Sequence, residues 1–265
     1  MAKKVYIGVN NVARKVKKMY VGVNGVARRA KSGHIGVDGV ARKFFAGGTP
    51  LSTLSIGQEV QIKENGVLTT YFVVQQGRPN YTYEDGLGYD VSCDGTWLLR
   101  KQVITSMQFH SAIQNADYTT SLIHTYLNGE FLTYFSPTVQ SGIKQVKIPY
   151  VMAGHEDTIL ANANGLPTRA FILSMTEVGL HGPAGAGMLL QYFTYADDSQ
   201  SNKARIAYTS GGTAVKYYSR STSDSNRAYI VTSTGDGSYS AATGSNYVRP
   251  CIILPSDFAI EELIA

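Results

Sequence analysis

The chain has 265 residues, of which 43% are hydrophobic and 11% aromatic, which suffices for one large domain with a sizeable core and argues against wholesale disorder. Its formal charge of +5 is divided unevenly: residues 1–45 carry eleven Lys or Arg and one acid, whereas the rest holds thirteen basic and eighteen acidic groups. No apolar run is long enough for a membrane helix or a signal peptide, so we expect neither membrane insertion nor export by a leader.

Residues 6–47 contain three copies of one unit at a period of 14, namely YIGVNNVARKVKKM, YVGVNGVARRAKSG and HIGVDGVARKFFAG. The Asn-Gly and Asp-Gly pairs favour two-residue turns with positive φ, so each unit is predicted to be a short β-hairpin. Hairpins this short cannot bury a face alone and must pack on each other, on the main domain or on other subunits. The pattern resembles N-terminal arms of tail and other structural proteins of phages and prophages of Gram-positive hosts, which implies an assembly arm over residues 1–47.

The basic residues of this arm have two further interpretations. A nucleic-acid arm is disfavoured because no aromatic residues interleave with the charges to stack bases, so we expect no nucleic-acid partner. A solvated charged edge that prevents wrong strand pairing remains as the second alternative to an assembly arm.

Residues 48–265 are predicted to form an α+β body after a Gly-Gly-Thr-Pro linker. Strands are expected on both sides of Glu64-Asn65-Gly66 within residues 60–76, at 96–104 and at 169–174, with Trp97 in the core. An apolar stripe predicts a helix over about 118–134, and Ser136-Pro137 is typical of a cap and first residue of a short second helix. A loop-rich sheet follows.

Few residues of this body suggest catalysis or metal binding. His155-Glu156-Asp157 does not converge on one substrate, because adjacent side chains diverge on either a strand or a helix. The five histidines lack metal-ligand spacing, and GPAGAGM (182–188) lacks the Lys-Ser/Thr of a phosphate loop. Acidic loops at Asp85–Asp94 and Asp197-Asp198 are predicted to be surface loops, with a structural Ca²⁺ as the alternative. Cys93 and Cys251 are two buried thiols or one disulfide. We expect no cofactor.

Five blocks resemble a bacterial and prophage domain family with the C-type lectin fold, related to the formylglycine-generating (sulfatase-modifying) enzymes. They are SIGQEVQIKENGVLTTYFVV, TSLIHTYLNGEFLTYFSP, RAFILSMTEVG, YYSRSTSDSNRAYIV and NYVRPCIILPSD, spanning most of residues 55–256. The resemblance implies a C-type-lectin-like fold. The chain departs from that family at Tyr218 and Ser219, where Trp-Leu-Arg-Ser is usual. It has only Cys251 late in the chain, where the enzymes use several cysteines, so we expect no enzymatic activity.

Residues 217–247 contain eight Ser and five Tyr among 31 residues. This is the composition of a recognition surface, because Tyr gives a large rigid contact and Ser, Gly and Asn give adaptable hydrogen bonds. A solvent-facing hairpin is the alternative. Some phage and bacterial proteins of this fold are diversified by a retroelement, and by resemblance the predicted ligand-binding residues are Tyr217, Tyr218, Ser219, Ser221, Ser223, Asp224, Asn226, Arg227, Tyr229, Asp236, Ser238 and Tyr239. Arg220 and Arg249 belong either to this surface or to internal bonds that hold its loops.

The sequence therefore predicts a non-enzymatic receptor-binding protein of a phage or prophage tail, made in the bacterial cytoplasm and carried on the virion. Its expected partners are a host-surface protein or glycan, other tail proteins at the N-terminal repeats, and further copies of itself in a homo-oligomer. The alternatives are a degenerate or unrecognised relative of the formylglycine-generating enzymes and a bacterial surface lectin or adhesin.

Overall fold

The computed structural model describes residues 6–9, 12–15, 20–23, 26–29, 32–37, 40–46, 49–79, 88–112, 116–152, 159–180, 187–193 and 203–260, and before residue 49 it describes the main chain alone. The fold is mixed α+β, with many strands and few short helices. No helix in these ranges is long and apolar enough to cross a membrane.

The strands at the start of the chain form three separate antiparallel pairs. Two residues separate the strands of each pair, which follows the period-14 repeat of the sequence. Their bounds are β1 (Tyr6–Val9) with β2 (Val12–Lys15), β3 (Tyr20–Val23) with β4 (Val26–Arg29), and β5 (Ser32–Val37) with β6 (Val40–Ala46).

The body contains eighteen further strands among the described residues. They are β7 (Thr49–Pro50), β8 (Glu59–Glu64), β9 (Val67–Gln76), β10 (Thr96–Arg100), β11 (Ser106–Gln108), β12 (Val146–Ile148), β13 (Tyr150–Val151), β14 (Ile159–Leu160), β15 (Leu166–Thr168), β16 (Ala170–Ile172), β17 (Ala207–Tyr208), β18 (Ala214–Val215), β19 (Tyr217–Thr222), β20 (Arg227–Val231), β21 (Gly237–Ala241), β22 (Ser245–Tyr247), β23 (Pro250–Leu254) and β24 (Ala259–Ile260). Among the described residues, α1 (Leu122–Asn128) and α2 (Pro137–Gly142) are α-helices, and residues 203–205 are also helical. 3₁₀ turns cover Leu51–Thr53, Val91–Cys93, Tyr118–Thr120, Glu130–Tyr134 and Asn162–Asn164.

The first large sheet is antiparallel, with strand order β16-β23-β10-β9-β8. Its central strands are apolar and buried because both faces are covered. Trp97 on β10 lies at the centre with no exposed surface, edge-on to Tyr89 and Phe171 at ring distances of 5.5 and 5.4 Å. Its indole N–H donates to the Cys93 carbonyl at 3.0 Å. The predictions for Trp97 and for a buried strand at 169–174 are confirmed.

The β8–β9 hairpin closes on Asn65 and Gly66, which have φ angles of 49° and 80°. Two consecutive positive φ values define the turn that Asn-Gly favours, so the predicted hairpin is confirmed. The second helix is confirmed as well, since the Ser136 hydroxyl accepts a hydrogen bond from the Val139 N–H and Pro137 is the first helical residue.

The single helix predicted over 118–134 is wrong, because the structure divides this segment into a 3₁₀ turn, α1 and a second 3₁₀ turn. Gly129 interrupts the helix with φ and ψ of −114° and −97°. Most of the apolar stripe is still buried, including Ile123, Leu127 and Phe131, whereas Leu122 is 38% exposed. The stripe thus identified the buried face correctly without showing that the helix is broken.

The second large sheet has strand order β11-β22-β19-β20-β21. Its strands are antiparallel except for β19 and β22, which run parallel. The register of β19 against β20 is irregular: Tyr218 lies opposite Ile230 and Thr222 opposite Ala228, so three β19 residues face one residue of β20. This bulge lies inside the Ser/Tyr-rich segment and interrupts the regular pairing of β19 with β20.

Candidate ligand-binding surface

The structure separates the Ser/Tyr-rich segment into a buried strand and a partly exposed hairpin. All six residues of β19 are buried, although the sequence predicts several of them on the ligand surface. The β19–β20 loop and parts of β20 and β21 are exposed or half-buried. Four of the predicted site residues, Tyr217, Tyr218, Ser219 and Ser221, therefore need correction.

The two tyrosines of β19 are core residues. Tyr218 has no exposed surface, its hydroxyl donates to the Gly244 carbonyl at 2.6 Å, and its ring lies edge-on to Phe109 at 5.2 Å. The Tyr217 hydroxyl donates to the Arg205 carbonyl at 2.8 Å. A buried tyrosine whose hydroxyl already has a partner packs like any other large core side chain and is not available to a ligand.

The two serines are buried because they satisfy main-chain groups inside the fold. The Ser221 hydroxyl accepts a hydrogen bond from the Met175 N–H at 3.1 Å, and the Ser219 hydroxyl accepts one from the Ser221 N–H at 3.1 Å. Each bond pairs an N–H that would otherwise be an unsatisfied buried donor. These serines support the backbone around the bulge.

Arg220 projects from the same strand into a fully buried ion pair. Its two terminal nitrogens each lie 2.5 Å from an oxygen of Glu177, and both side chains have no exposed surface. The guanidinium also donates to the carbonyls of Ile172 and Pro149 at 3.1 and 3.2 Å. Burial alone would lower the pKa of Arg220, but the attraction of the Glu177 carboxylate raises it overall. Arg220 is therefore an internal donor that joins β19 to two other segments.

Glu177 has further partners that complete this network. The Tyr89 hydroxyl donates to its Oε1 at 2.6 Å, and the Ser174 N–H donates to its Oε2 at 3.0 Å. The Met188 N–H in turn donates to the Tyr89 oxygen at 3.0 Å. Burial, followed by the nearby carboxylate, raises the pKa of Tyr89 well above its usual value, which keeps the phenol protonated as a donor.

Arg249 is likewise internal, and the open choice for Arg220 and Arg249 is settled in favour of bonds that hold the fold. Arg249 is buried, its Nε donates to the Arg100 carbonyl at 3.0 Å, and its Nη1 donates to the Arg205 carbonyl at 3.2 Å. Its guanidinium also lies 5.5 Å from the centre of the Tyr217 ring. The arginine therefore connects β10 and the segment before β17 to the strand that carries Tyr217.

The less buried part of the segment carries a surface that we call the Arg227–Tyr239 surface. It comprises the exposed residues Asn226 and Tyr239 and the half-buried residues Asp224, Arg227 and Tyr229, of which Tyr229 also packs against the core. Arg227 and Tyr229 lie on β20, and Tyr239 lies opposite Tyr229 on the edge strand β21. The Arg227 guanidinium sits 4.2 Å from the centre of the Tyr239 ring. Tyr239 remains 54% exposed, so a large part of this aromatic side chain is open to solvent.

Hydrogen bonds within this surface fix the position of Arg227. Its Nε and Nη2 lie 2.7 and 2.6 Å from Asp224 Oδ2, and the Asn226 N–H donates to Asp224 Oδ1 at 2.7 Å. The hydrogen bond from Arg227 is the main cause of a lowered pKa at Asp224, which keeps the carboxylate ionised. The surface therefore presents an ordered aromatic ring beside a neutralised charge pair and an exposed amide.

The remaining predicted residues flank this surface. Ser223 is half-buried at the end of β19, and its N–H donates to the Arg227 carbonyl at 2.8 Å. Asp236 is exposed in the β20–β21 turn, where it accepts a hydrogen bond from the Thr234 hydroxyl at 2.7 Å. Ser238 is half-buried on β21, opposite Ile230. These three residues lie at the border of the Arg227–Tyr239 surface.

Several other sequence predictions lie wholly or partly outside the described residues. They concern His155-Glu156-Asp157, Asp197-Asp198, most of GPAGAGM and the first part of the acidic loop at Asp85–Asp94. Within the described ranges no group of three or more His, Cys, Asp or Glu residues is placed to hold a metal ion. Cys93 and Cys251 are separate buried thiols. Burial raises the pKa of Cys93 to about 12, which keeps this thiol protonated.

Sequence reasoning missed Glu177 and Tyr89, which position the strand beneath the candidate surface. Glu177 lies in the motif Leu-Ser-Met-Thr-Glu-Val, which carries part of the family resemblance. The available signal was an acidic residue placed just after a strongly apolar strand. Such a carboxylate is easily buried, and a buried carboxylate requires a cationic or hydrogen-bonding partner. The partner, Arg220, is 43 residues away in sequence, and only the fold brings the two together.

Comparison with known proteins adds one match. A family model described as "Domain of unknown function (DUF6273)" matches residues 94–256, which includes β10 to β23 and the whole Arg227–Tyr239 surface. No curated protein and no solved structure matches the chain.

Proposed function

The chain belongs to the DUF6273 family, whose function is unknown, and from its Arg227–Tyr239 surface we propose that it is a non-enzymatic ligand-binding protein. The observation that carries this proposal is the exposure of Tyr239, at 54%, on a hairpin whose neighbouring strand is wholly buried. Large aromatic side chains that are exposed in a fixed orientation are typical contact residues of recognition surfaces.

The surrounding groups support recognition by contact. Arg227 is held by Asp224 and stacks on Tyr239, so little side-chain freedom remains to be lost when a ligand binds. Asn226 is exposed and offers both donors and acceptors at the margin. An aromatic contact with a polar margin is the arrangement that concentrates binding energy in few residues.

We propose the C-type-lectin-like fold and a place on a phage or prophage tail on the basis of the sequence resemblance. Under this proposal residues 1–47 are an arm that assembles the chain with tail proteins or with further copies of itself. The three strand pairs before residue 47 support it, because isolated two-stranded hairpins are marginally stable and need a partner. Display in several copies would strengthen weak contacts with a host-surface protein or glycan.

Binding to intact cells tests the central part of this proposal. Fluorescently labelled full-length chain is measured by flow cytometry on a panel of Gram-positive bacterial strains. On strains that bind the parent chain, we expect Tyr239→Ala to lower the apparent affinity by at least about tenfold, as for a central aromatic contact. Tyr208→Ala is the matched control, because Tyr208 is 42% exposed on β17, outside the surface. Equal binding by the two variants would contradict the proposed site.

Retroelement diversification is a separate proposal with its own test. Sequencing the gene from independent isolates should reveal substitutions at Asn226, Tyr229 and Tyr239 and a constant strand Tyr217–Thr222, because changes in β19 disturb the core. A near-copy of the codons for 217–247 that differs at adenines, beside a reverse transcriptase gene, is the expected companion. An invariant segment without such a copy would refute diversification and leave the binding proposal standing.

A further inference from the structure

The Asn-Gly pair at the tip of the β8–β9 hairpin has a chemical property that the proposed function does not use. Asn65 and Gly66 are both exposed, and within the described residues no hydrogen bond engages the Asn65 side chain. The Asn65 N–H donates to the Tyr134 carbonyl at 2.7 Å, so the main chain is anchored while the side-chain amide is free. We propose that Asn65-Gly66 is a site of spontaneous deamidation in the folded protein.

The reaction needs only water and the groups present. The main-chain nitrogen of Gly66 attacks the Asn65 side-chain carbonyl carbon, a new C–N bond forms, and the side-chain nitrogen leaves as ammonia with the proton from the Gly66 amide. Water then opens the cyclic imide at either carbonyl, giving an aspartyl or an isoaspartyl residue. No electron transfer is involved. Glycine favours the attack, because a residue without Cβ leaves its nitrogen sterically accessible.

The chain offers a matched internal control in Asn128-Gly129, which has the same two residue types. The Asn128 amide nitrogen donates to the carbonyls of His124 and Ala170, both at 3.0 Å. Its oxygen accepts hydrogen bonds from the Thr168 hydroxyl at 3.0 Å and the Arg169 N–H at 2.8 Å. The carbonyl carbon can meet the Gly129 nitrogen only after these bonds break, so folding protects Asn128 and not Asn65.

Deamidation would place a new negative charge at the hairpin tip. The adjacent residue Glu64 is buried and paired with Arg100, so its charge is already compensated. The new carboxylate would stand in solvent beside Val67 and Leu68, which are 67% and 44% exposed. An isoaspartyl product would also insert a methylene into the main chain of a two-residue turn, which shifts the hairpin register locally.

Peptide mapping by mass spectrometry tests the proposal. Full-length protein is incubated in mildly alkaline buffer, both folded and in denaturant, and the peptides containing residues 65 and 128 are followed for a mass increase of about one dalton. In the folded protein we expect Asn65 to convert at least about tenfold faster than Asn128, because Asn128 must first lose several buried hydrogen bonds. In denaturant the two rates should become similar.

Labelling with an isoaspartyl methyltransferase gives the second readout, since this enzyme marks only the isoaspartyl product. The label is read in the peptide that contains residue 65, because the chain also contains Asn24-Gly25 and Asn164-Gly165. Asn65→Gln should abolish the methyl acceptance of that peptide, whereas Asn128→Gln should leave it nearly unchanged. The proposal is overturned if Asn65 converts in denaturant but not in the folded state, or if both sites convert at equal rates when folded.

Discussion

Replacing Arg220 with methionine is expected to lower the free energy of unfolding by about 3–5 kcal/mol, the range found when one partner of a buried ion pair is removed. Glu177 would then remain as a buried carboxylate without its cation, and the hydrogen bonds to the Ile172 and Pro149 carbonyls would be lost. Urea denaturation followed by fluorescence measures the effect, because Trp97 is the single tryptophan and lies in the core.

Replacing a second arginine shows whether the loss of stability is specific to Arg220. Arg227 forms its own ion pair with Asp224, but that pair is partly exposed on the candidate surface. Exposed pairs contribute little to stability, so Arg227→Met should unfold close to the parent midpoint. Arg220→Lys keeps the charge but cannot reproduce the two parallel bonds to Glu177, and it should fall between parent and Arg220→Met. Similar midpoints for Arg220→Met and Arg227→Met would contradict the assignment.

Tyr218→Ala is expected to destabilise the protein by about 3–5 kcal/mol, as for other large aromatic side chains removed from a core. The substitution removes a side chain with no exposed surface and leaves a cavity against Phe109. Tyr218→Phe keeps the ring and removes only the hydroxyl, which donates to the Gly244 carbonyl at 2.6 Å and lies 3.3 Å from the Ala241 carbonyl, so it should cost about 0.5–1.5 kcal/mol.

Tyr239→Ala serves as the contrasting tyrosine, with an expected change within about 0.5 kcal/mol because its side chain is largely in solvent. The ordering Tyr218→Ala, Tyr218→Phe, Tyr239→Ala in decreasing loss of stability is therefore the expected result of urea denaturation. Comparable losses for Tyr218→Ala and Tyr239→Ala would show that the buried and exposed halves of the segment are not distinct.

Local signals in the sequence predicted those parts of the fold that depend on neighbouring residues. Asn65-Gly66 determines its turn through backbone φ preferences, and Ser136-Pro137 determines a helix start through a hydrogen bond three residues away. The prediction of one helix over 118–134 was wrong because Gly129 leaves helical geometry. There the Asn128 side chain forms hydrogen bonds with the main chain of residues 169 and 170. That interaction is not visible within the helical segment itself.

A ligand surface within residues 217–247 stays a prediction, and the structure contradicts it at the four buried residues Tyr217, Tyr218, Ser219 and Ser221. Composition indicates that serine and tyrosine are abundant, yet it does not indicate which of them face the core. The bulge between Tyr218 and Thr222 changes the alternation that a regular strand would have, and the Glu177–Arg220 pair fixes the bulged strand from a distant part of the chain. Both features depend on long-range contacts, so neither follows from local pattern.

A saturation library of residues 217–247 in the full-length chain, displayed on cells, tests the central claim most directly. Every variant is scored both for protease resistance and for binding to the strains that the parent binds. Substitutions of Asn226 and Tyr239 should keep protease resistance and lose binding, whereas those of Tyr218 and Arg220 should lose both. Exposed-surface variants that bind as well as the parent, or buried-strand variants that resist protease as well as the parent, would contradict this division into scaffold and ligand surface.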